Sequence, residues 1–237
     1  TSLITGETLG EDVAAGMGAT ERLQNLRELF YQNVEQYVRR MADAANGASV
    51  ALSNLPVPFL SAFMGGMETG VDVRDPVRQG TRYNGSGCLI HGLSVVADSL
   101  IAVDRLLAER PQDAQRLLEA LRDNFAGEDA LRAFLSEAPK FGNNGEAVDR
   151  EAATVAARVS SIVSSARNYL GNPFRPDWST PSTHLLYGYW VGATPDGRMA
   201  RDMLGYGVDP LYGEAQNGLG LRVLSALKLP YGQFNGG

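Results

Sequence analysis

Cys88 is the most reactive side chain that the sequence offers, because it is the only cysteine among 237 residues. It lies in the glycine-rich segment RYNGSGCLIHG, directly before a predicted helix, where the positive end of the helix dipole lowers the pKa of a thiol. This position fits a nucleophile or a thiyl radical, and it also fits a small, half-buried residue at a loop–helix junction. His91 would need a third group to orient it as a base, and the local sequence has none. We expect the structural role.

The two histidines, His91 and His184, lie far apart in the sequence, and neither has a cysteine or carboxylate at zinc-ligand spacing. The sequence therefore predicts no metal site. His184 is the better functional candidate, because it follows Ser182 and Thr183 at the start of a predicted strand, where polar side chains tend to face a pocket. A hydrogen-bonded structural histidine fits the same position equally well.

Two further groups of polar residues have ordinary structural interpretations. The acid pairs Asp98 with Asp104 and Glu146 with Asp149 lie on predicted helices, and we expect solvated faces or helix caps there. The segment TPDGR at 194–198 predicts a turn, because proline presets φ, aspartate bonds to its own backbone and glycine tolerates a positive φ.

Amphipathic patterns at three- and four-residue spacing predict the helices that must position these residues. They cover, in round numbers, residues 20–50, 89–109, 112–124, 128–137 and 147–170. In the last third, THLLYGYWVG has the β-branched and aromatic content of a strand, and frequent glycines predict turns and further short strands. A helix-rich part (20–171) thus precedes a glycine-rich part (172–237), with no linker between them. We predict an α/β fold in which residues 1–237 form a single segment, with helices packed outside short strands.

The composition excludes several classes of protein. Its 44% apolar and 20% charged residues are typical of a globular chain, and the net charge of −6 comes without the lysine or arginine cluster that nucleic acid requires. No apolar stretch approaches the length of a membrane span. One cysteine and no recognisable leader favour the cytoplasm. The start at Thr1 leads us to expect a piece of a longer chain.

Taken in order, several segments resemble the pyruvate formate-lyase-like domain of glycyl radical enzymes. The resemblance extends from about residue 55 to residue 230 and rests on LPVPFLSAFMGG, RYNGSG, GLSVVADSLIAVDRLL, NFAGEDALRAFL, APKFGNNGEAVD, GATPDGRMA and DPLYGEAQNGLGLRVLSALKLP. The combination of ADSLIAV, PKFGNN and TPDGR is the most specific part of this pattern.

The resemblance implies a segment of a ten-stranded α/β barrel with helices outside. It implies a stored glycyl radical that generates a thiyl radical on a loop cysteine, which then abstracts hydrogen from substrate. The matching cysteine and glycine motifs are absent from this sequence, and Cys88 aligns with the segment leading into the ADSL helix, so we expect both radical residues outside this chain. The chain alone is then inactive and binds no metal or organic cofactor. Expected partners are the remainder of the enzyme chain, a radical S-adenosylmethionine activating enzyme, and a second copy in a homodimer with or without small accessory subunits.

The substrate class is the least specific part of the resemblance. After TPDGR, this chain departs from the pattern of most dehydratase- and lyase-type members and is similar to fumarate-adding members, the benzylsuccinate and alkylsuccinate synthases. Two alternatives remain open: a small polar substrate, as in the formate acetyltransferase, glycerol dehydratase and choline lyase branches, and a non-catalytic structural paralogue. By family spacing, the residues expected to line the substrate pocket are Tyr83, Asn84, Leu89, Ser179, Pro181 and His184.

Overall fold

The computed structural model describes residues 16–75, 77–78, 86–179 and 184–236, with the backbone alone of His184 and Leu185. Helices dominate the described residues, and two short strands accompany them. The α-helices and β-strands are, in chain order, α1 (Ala19–Gln24), α2 (Leu26–Ser53), α3 (Pro58–Ser61), α4 (Met67–Thr69), β1 (Gly87–Leu89), α5 (Leu93–Glu109), α6 (Ala114–Arg122), α7 (Asp129–Ser136), α8 (Glu146–Ser165), β2 (Arg175–Asp177), α9 (His184–Tyr189) and α10 (Leu219–Ala226).

The first predicted helix is present as α1 and α2, which are separated at Asn25. Buried residues of α2 recur at helical spacing, as Tyr31, Val38 and Ala42 show, and the helix ends before Pro56. A proline cannot donate the backbone hydrogen bond that would continue the helix. α2 packs across α8 and thereby forms one wall of the molecule.

The core lies between α5 and α8, the helix pair with the most extensive contact. Leu93 and Leu100 of α5 meet Val148 and Val155 of α8, and Phe141 in the preceding loop is fully buried in the same cluster. Each fully buried leucine or valine side chain contributes roughly 1.5–3 kcal/mol relative to an exposed one. α6 and α7 continue this core at the other end of α5.

β1 and β2 form a parallel pair in which Gly87 lies opposite Arg175 and Leu89 opposite Asp177. A further parallel bridge joins Asp177 to Gly236, so a third extended segment lies beside β2. The chain passes from β1 to β2 through α5–α8, which is the connection that parallel strands require. α8 packs against β2, and no other described helix has comparable contact with either strand.

Three sequence predictions need correction. Residues 87–89 are a strand, and α5 begins at Leu93 instead of residue 89. α8 ends at Ser165, short of residue 170, because Ala166 takes an extended conformation. The predicted strand at 183–192 is wrong, since 184–189 form helix α9. Gly188 lies tight against the backbone of Met203, and this tertiary packing overrides the local strand preference.

The last third also contains α10, which the sequence analysis did not predict. Only one of the two described strands, β2, comes from this part of the chain. A ten-stranded barrel is therefore not seen in the described residues.

No single helix within the described ranges is long and apolar enough to cross a membrane. α2 together with the segment Pro58–Thr69 satisfies the length and composition criteria as a pair, with a bend of 103° between them.

Candidate functional site

One face of the β1–β2 pair is buried against helices. Cys88 and its partner Pro176 point to this side, where Val38, Val163 and Phe174 surround the thiol. The Cys88 Sγ lies 3.4 Å from the Sδ of Met41, and burial raises the pKa of the thiol. A raised pKa suppresses the thiolate, so Cys88 has the environment of a structural residue.

The opposite face, which we call the open face, carries Gly87 and Leu89 from β1 and Arg175 and Asp177 from β2, with Ser179 just beyond. Successive residues of a strand point to opposite sides, so these residues alternate with the buried Cys88, Pro176 and Trp178. Leu89 is 51% exposed. The open face thus combines an apolar side chain, two opposite charges and a hydroxyl.

Asp177 fixes the end of β2. Its Oδ1 accepts a hydrogen bond of 2.9 Å from the backbone N–H of Ser179, and Gly236 packs closely against the same carboxylate. The backbone N–H of Ile90 donates to the carbonyl of Asp177 at 2.8 Å. These bonds hold the carboxyl ends of β1 and β2 side by side, the end at which parallel α/β sheets bind ligands.

The His91 ring lies directly after β1 and packs against the Tyr187 ring of α9, with 5.0 Å between ring centroids. α9, where the sequence predicts a strand, therefore brings an aromatic ring to the carboxyl end of the sheet.

A cavity of about 510 Å³ lies beside β1, between α2, α5 and α8. This volume is within the range of small-molecule sites. Its wall is almost entirely apolar and contains both Cys88 and Leu89. The other lining residues include Phe30, Val34, Val38, Met41, Ile90, His91, Val96, Val155, Val159 and Trp178.

The structure brings together two of the six predicted pocket residues, Leu89 and Ser179, at the ends of adjacent strands. Tyr83, Asn84 and Pro181 lie outside the described residues. His184 begins α9, and its side chain is not among the described ones.

Sequence reasoning missed Arg175 and Asp177. The signal was the alternation in Phe-Arg-Pro-Asp-Trp-Ser at 174–179, where apolar residues alternate with polar ones as in a half-buried strand.

The segments that carry the family resemblance meet in a separate cluster. The Asp98 Oδ1 of the ADSL motif accepts a 2.7 Å hydrogen bond from the backbone N–H of Phe141, and Lys140 Nζ donates to the carbonyl of Asp196 at 2.6 Å. Asp196 belongs to the TPDGR turn, which is confirmed, with Gly197 at φ 93°. These hydrogen bonds hold α5, the 138–144 loop and the turn together. The cluster therefore has a structural role.

The prediction of solvated acids is wrong for Asp98 and Asp149. Asp98 is completely buried, and desolvation raises its pKa well above the ordinary value. Asp149 is also buried, and its Oδ2 forms an ion pair of 2.7 Å with the Nζ of Lys228. Asp104 and Glu146 are exposed, as expected.

Among the described residues, no group of three or more histidine, cysteine or acidic side chains has the arrangement of a metal site.

Comparison with known proteins gives a consistent result. A family model described as pyruvate formate lyase-like matches residues 1–188. The chain is 26% identical over 222 residues to the trans-4-hydroxy-L-proline dehydratase of Clostridioides difficile and 30% identical over 151 residues to the formate acetyltransferase of Haemophilus influenzae. These alignments include 90% and 63% of this chain, but only 28% and 19% of the two relatives.

Solved structures of glycyl radical enzymes have a similar fold. The B12-independent glycerol dehydratase of Clostridium butyricum superposes on 90% of this chain with a TM-score of 0.83 and 30% identity. A glycyl radical enzyme of Archaeoglobus fulgidus superposes on the same share with a TM-score of 0.82 and 31% identity. The chain spans 27% of each of these structures.

Proposed function

Because the chain belongs to the pyruvate formate lyase-like family of glycyl radical enzymes, we propose that it forms part of the barrel of such an enzyme and that the enzyme is a lyase or dehydratase acting on a small polar substrate. The open face of β1–β2 is the part of this chain that faces the substrate. Residues 1–237 are then one segment of the barrel domain, and the remaining strands of a ten-stranded barrel come from the rest of the protein.

The observation that carries the proposal is the polarity of the open face. This face carries Arg175, Asp177 and Ser179, which alternate along the chain with buried residues and lie at or near the carboxyl end of β2. A barrel closes its strands around an interior, and the side without helices becomes that interior. A substrate with hydroxyl, carboxylate or similar groups can form hydrogen bonds with these side chains.

The relatives support the same substrate class. The curated relatives include a trans-4-hydroxy-L-proline dehydratase, formate acetyltransferases and an isethionate sulfite-lyase, and the similar structures include a glycerol-bound dehydratase and an enzyme of 1,2-propanediol dehydration. The substrates named in these descriptions are small and polar.

Addition of a hydrocarbon to fumarate, as in aryl- and alkylsuccinate synthases, is the second candidate. The observation that favours it is the apolar cavity beside β1, because a hydrocarbon substrate requires an apolar chamber. The cavity lies mainly between helices, however, whereas the polar residues lie on the open face. We therefore rank the polar-substrate function first.

The radical residues belong, in this proposal, to other parts of the enzyme. Cys88 is the only cysteine of this chain, and it is buried on the helix side of β1, away from the open face. This chain alone then has no turnover. The enzyme requires a radical S-adenosylmethionine activating enzyme, works in the cytoplasm and forms a homodimer, with or without small accessory subunits.

The test uses the complete enzyme, meaning the full-length protein that contains this chain, activated without oxygen and checked for its radical by EPR. Candidate substrates are trans-4-hydroxy-L-proline, isethionate, glycerol, 1,2-propanediol, choline, and pyruvate with coenzyme A, against toluene or an alkane with fumarate. Turnover of a polar substrate without fumarate supports the proposal. Succinate adducts from a hydrocarbon would establish the second candidate, and failure to acquire a radical would indicate a non-catalytic paralogue.

A further inference from the structure

We propose that Arg175 binds an anionic group of the substrate, a carboxylate or a sulfonate. This inference rests on the proposed function and narrows its substrate class from small polar molecules to those that carry a carboxylate or a sulfonate.

Arg175 has no side-chain hydrogen bond or ion pair with any described residue, although it is partly buried. Several other arginines of this chain have partners. Arg27 pairs with Asp104 and Glu151, and Arg222 pairs with Asp209. The buried Arg198 donates to the carbonyls of Gly192 and Met199. No described residue neutralises this partly buried arginine, so Arg175 can receive an acceptor from another source.

The described residues leave room for that acceptor beside Arg175. Its neighbour across the strand pair is Gly87, and a Cβ added to Gly87 would meet no described atom within 4 Å. Any larger residue at this position would place a side chain next to the guanidinium. The guanidinium has two parallel N–H groups that match the two oxygens of a carboxylate or sulfonate.

Asp177 lies on the same face but does not neutralise Arg175. The two side chains make no ion pair, and Asp177 instead accepts the backbone N–H of Ser179. Residues two apart in a strand are separated by roughly 6.5–7 Å, so a small molecule can bind between them. Arg175 then binds the anionic end, and Asp177 and Ser179 face the remainder of the substrate.

The experiment compares the complete, activated enzyme with its Arg175→Gln and Arg175→Lys variants. The probes that carry an anionic group are trans-4-hydroxy-L-proline, isethionate, and pyruvate with coenzyme A. The neutral or cationic probes are glycerol, 1,2-propanediol and choline. Arg40→Gln is the control, because Arg40 is an exposed arginine on α2. EPR measures the radical content of each variant, so that loss of binding is separated from loss of activation.

We expect turnover of an anionic probe, and a decrease of kcat/KM in Arg175→Gln of about 10- to 100-fold, mostly as a higher KM. Arg175→Lys should recover part of the lost kcat/KM. The recovery should be larger if the anionic group is bound through one oxygen than if it is bound through two, because lysine cannot form the paired hydrogen bonds of arginine. Calorimetric titration of the unactivated enzyme with the same probe should show the same loss of affinity. Arg40→Gln should stay within about twofold of the parent.

Three results would overturn the inference in different ways. Turnover of only glycerol, 1,2-propanediol or choline would refute the anion site and leave the polar-substrate function intact. An enzyme that acquires its radical but turns over none of the probes would refute both the anion site and the polar-substrate function. An unchanged KM for an anionic substrate in a folded Arg175→Gln enzyme would assign Arg175 to a protein contact.

Discussion

The two faces of the β1–β2 pair differ in burial and in the polar groups that they carry. On the helix side, Cys88, Pro176 and Trp178 are buried, and the Trp178 indole donates a 2.9 Å hydrogen bond to Ser160. On the open face, Arg175 and Asp177 make no ion pair with each other. The helix side therefore stabilises the segment, while the open face is where a ligand can gain binding energy.

Two carboxylates show the same difference. Asp98, on the helix side of the molecule, is fully buried and its Oδ2 has no described partner, so desolvation raises its pKa. Asp177 is only partly buried and keeps one oxygen bonded to a backbone N–H. Asp98 thus belongs to the packed interior, whereas Asp177 lies where a ligand can reach it.

Trp178→Ala should have the largest effect on stability. Trp178 is 2% exposed, and truncating a buried aromatic residue typically costs about 3–5 kcal/mol of unfolding free energy. The variant should show a clearly lower thermal midpoint or fail to accumulate as folded protein. Leu89→Ala on the open face is the matched control and should cost about 1 kcal/mol or less, because Leu89 is half exposed. Equal losses in the two variants would remove the distinction between the faces.

Asp98→Asn should change the pH dependence of stability. Because burial holds the pKa of Asp98 above its unfolded value, the folded state binds more protons there, and stability decreases as pH rises from about 4 through the folded pKa. The asparagine variant loses this ionisation, so its unfolding free energy should depend less on pH across that window. Urea unfolding at several pH values measures this. Parallel pH profiles for parent and variant would show that Asp98 does not titrate as proposed.

Cys88→Ser should have a modest effect. Replacing the thiol by a hydroxyl in this apolar environment should cost about 1 kcal/mol, with Met41 losing its sulfur contact. Activity of the complete enzyme should persist, because the thiol faces away from the open face. A folded Cys88→Ser enzyme that acquires its radical and yet has no turnover would restore a catalytic role.

Gly87→Ala should have the smallest effect on stability, within about 0.5 kcal/mol, because no described atom would contact the new methyl group. The methyl group would occupy space beside Arg175, so KM for an anionic substrate should rise while the thermal midpoint stays unchanged. A lower midpoint would mean that another part of the enzyme packs against Gly87.

Amphipathic periodicity predicted the helices well, because α2, α5 and α8 each bury one stripe of apolar residues. The strands were harder to predict from the sequence. β1 and β2 have three residues each, and their signal lay in the alternation at 174–179, whereas the more strand-like 183–192 contains helix α9 through packing at Gly188. The family resemblance places Leu89 and Ser179 in the substrate pocket, and this stays a prediction. The sequence alone does not single out Arg175, because only the strand register places it opposite Gly87.

The most direct test of the open face as the substrate wall is a crystal structure of the complete, unactivated enzyme with the substrate that it turns over. We predict that the ligand contacts Leu89 and Ser179 and that its oxyanion lies about 2.7–2.9 Å from the Arg175 guanidinium. A ligand bound away from β1 and β2, with Arg175 in an ion pair with a protein carboxylate, would contradict the account.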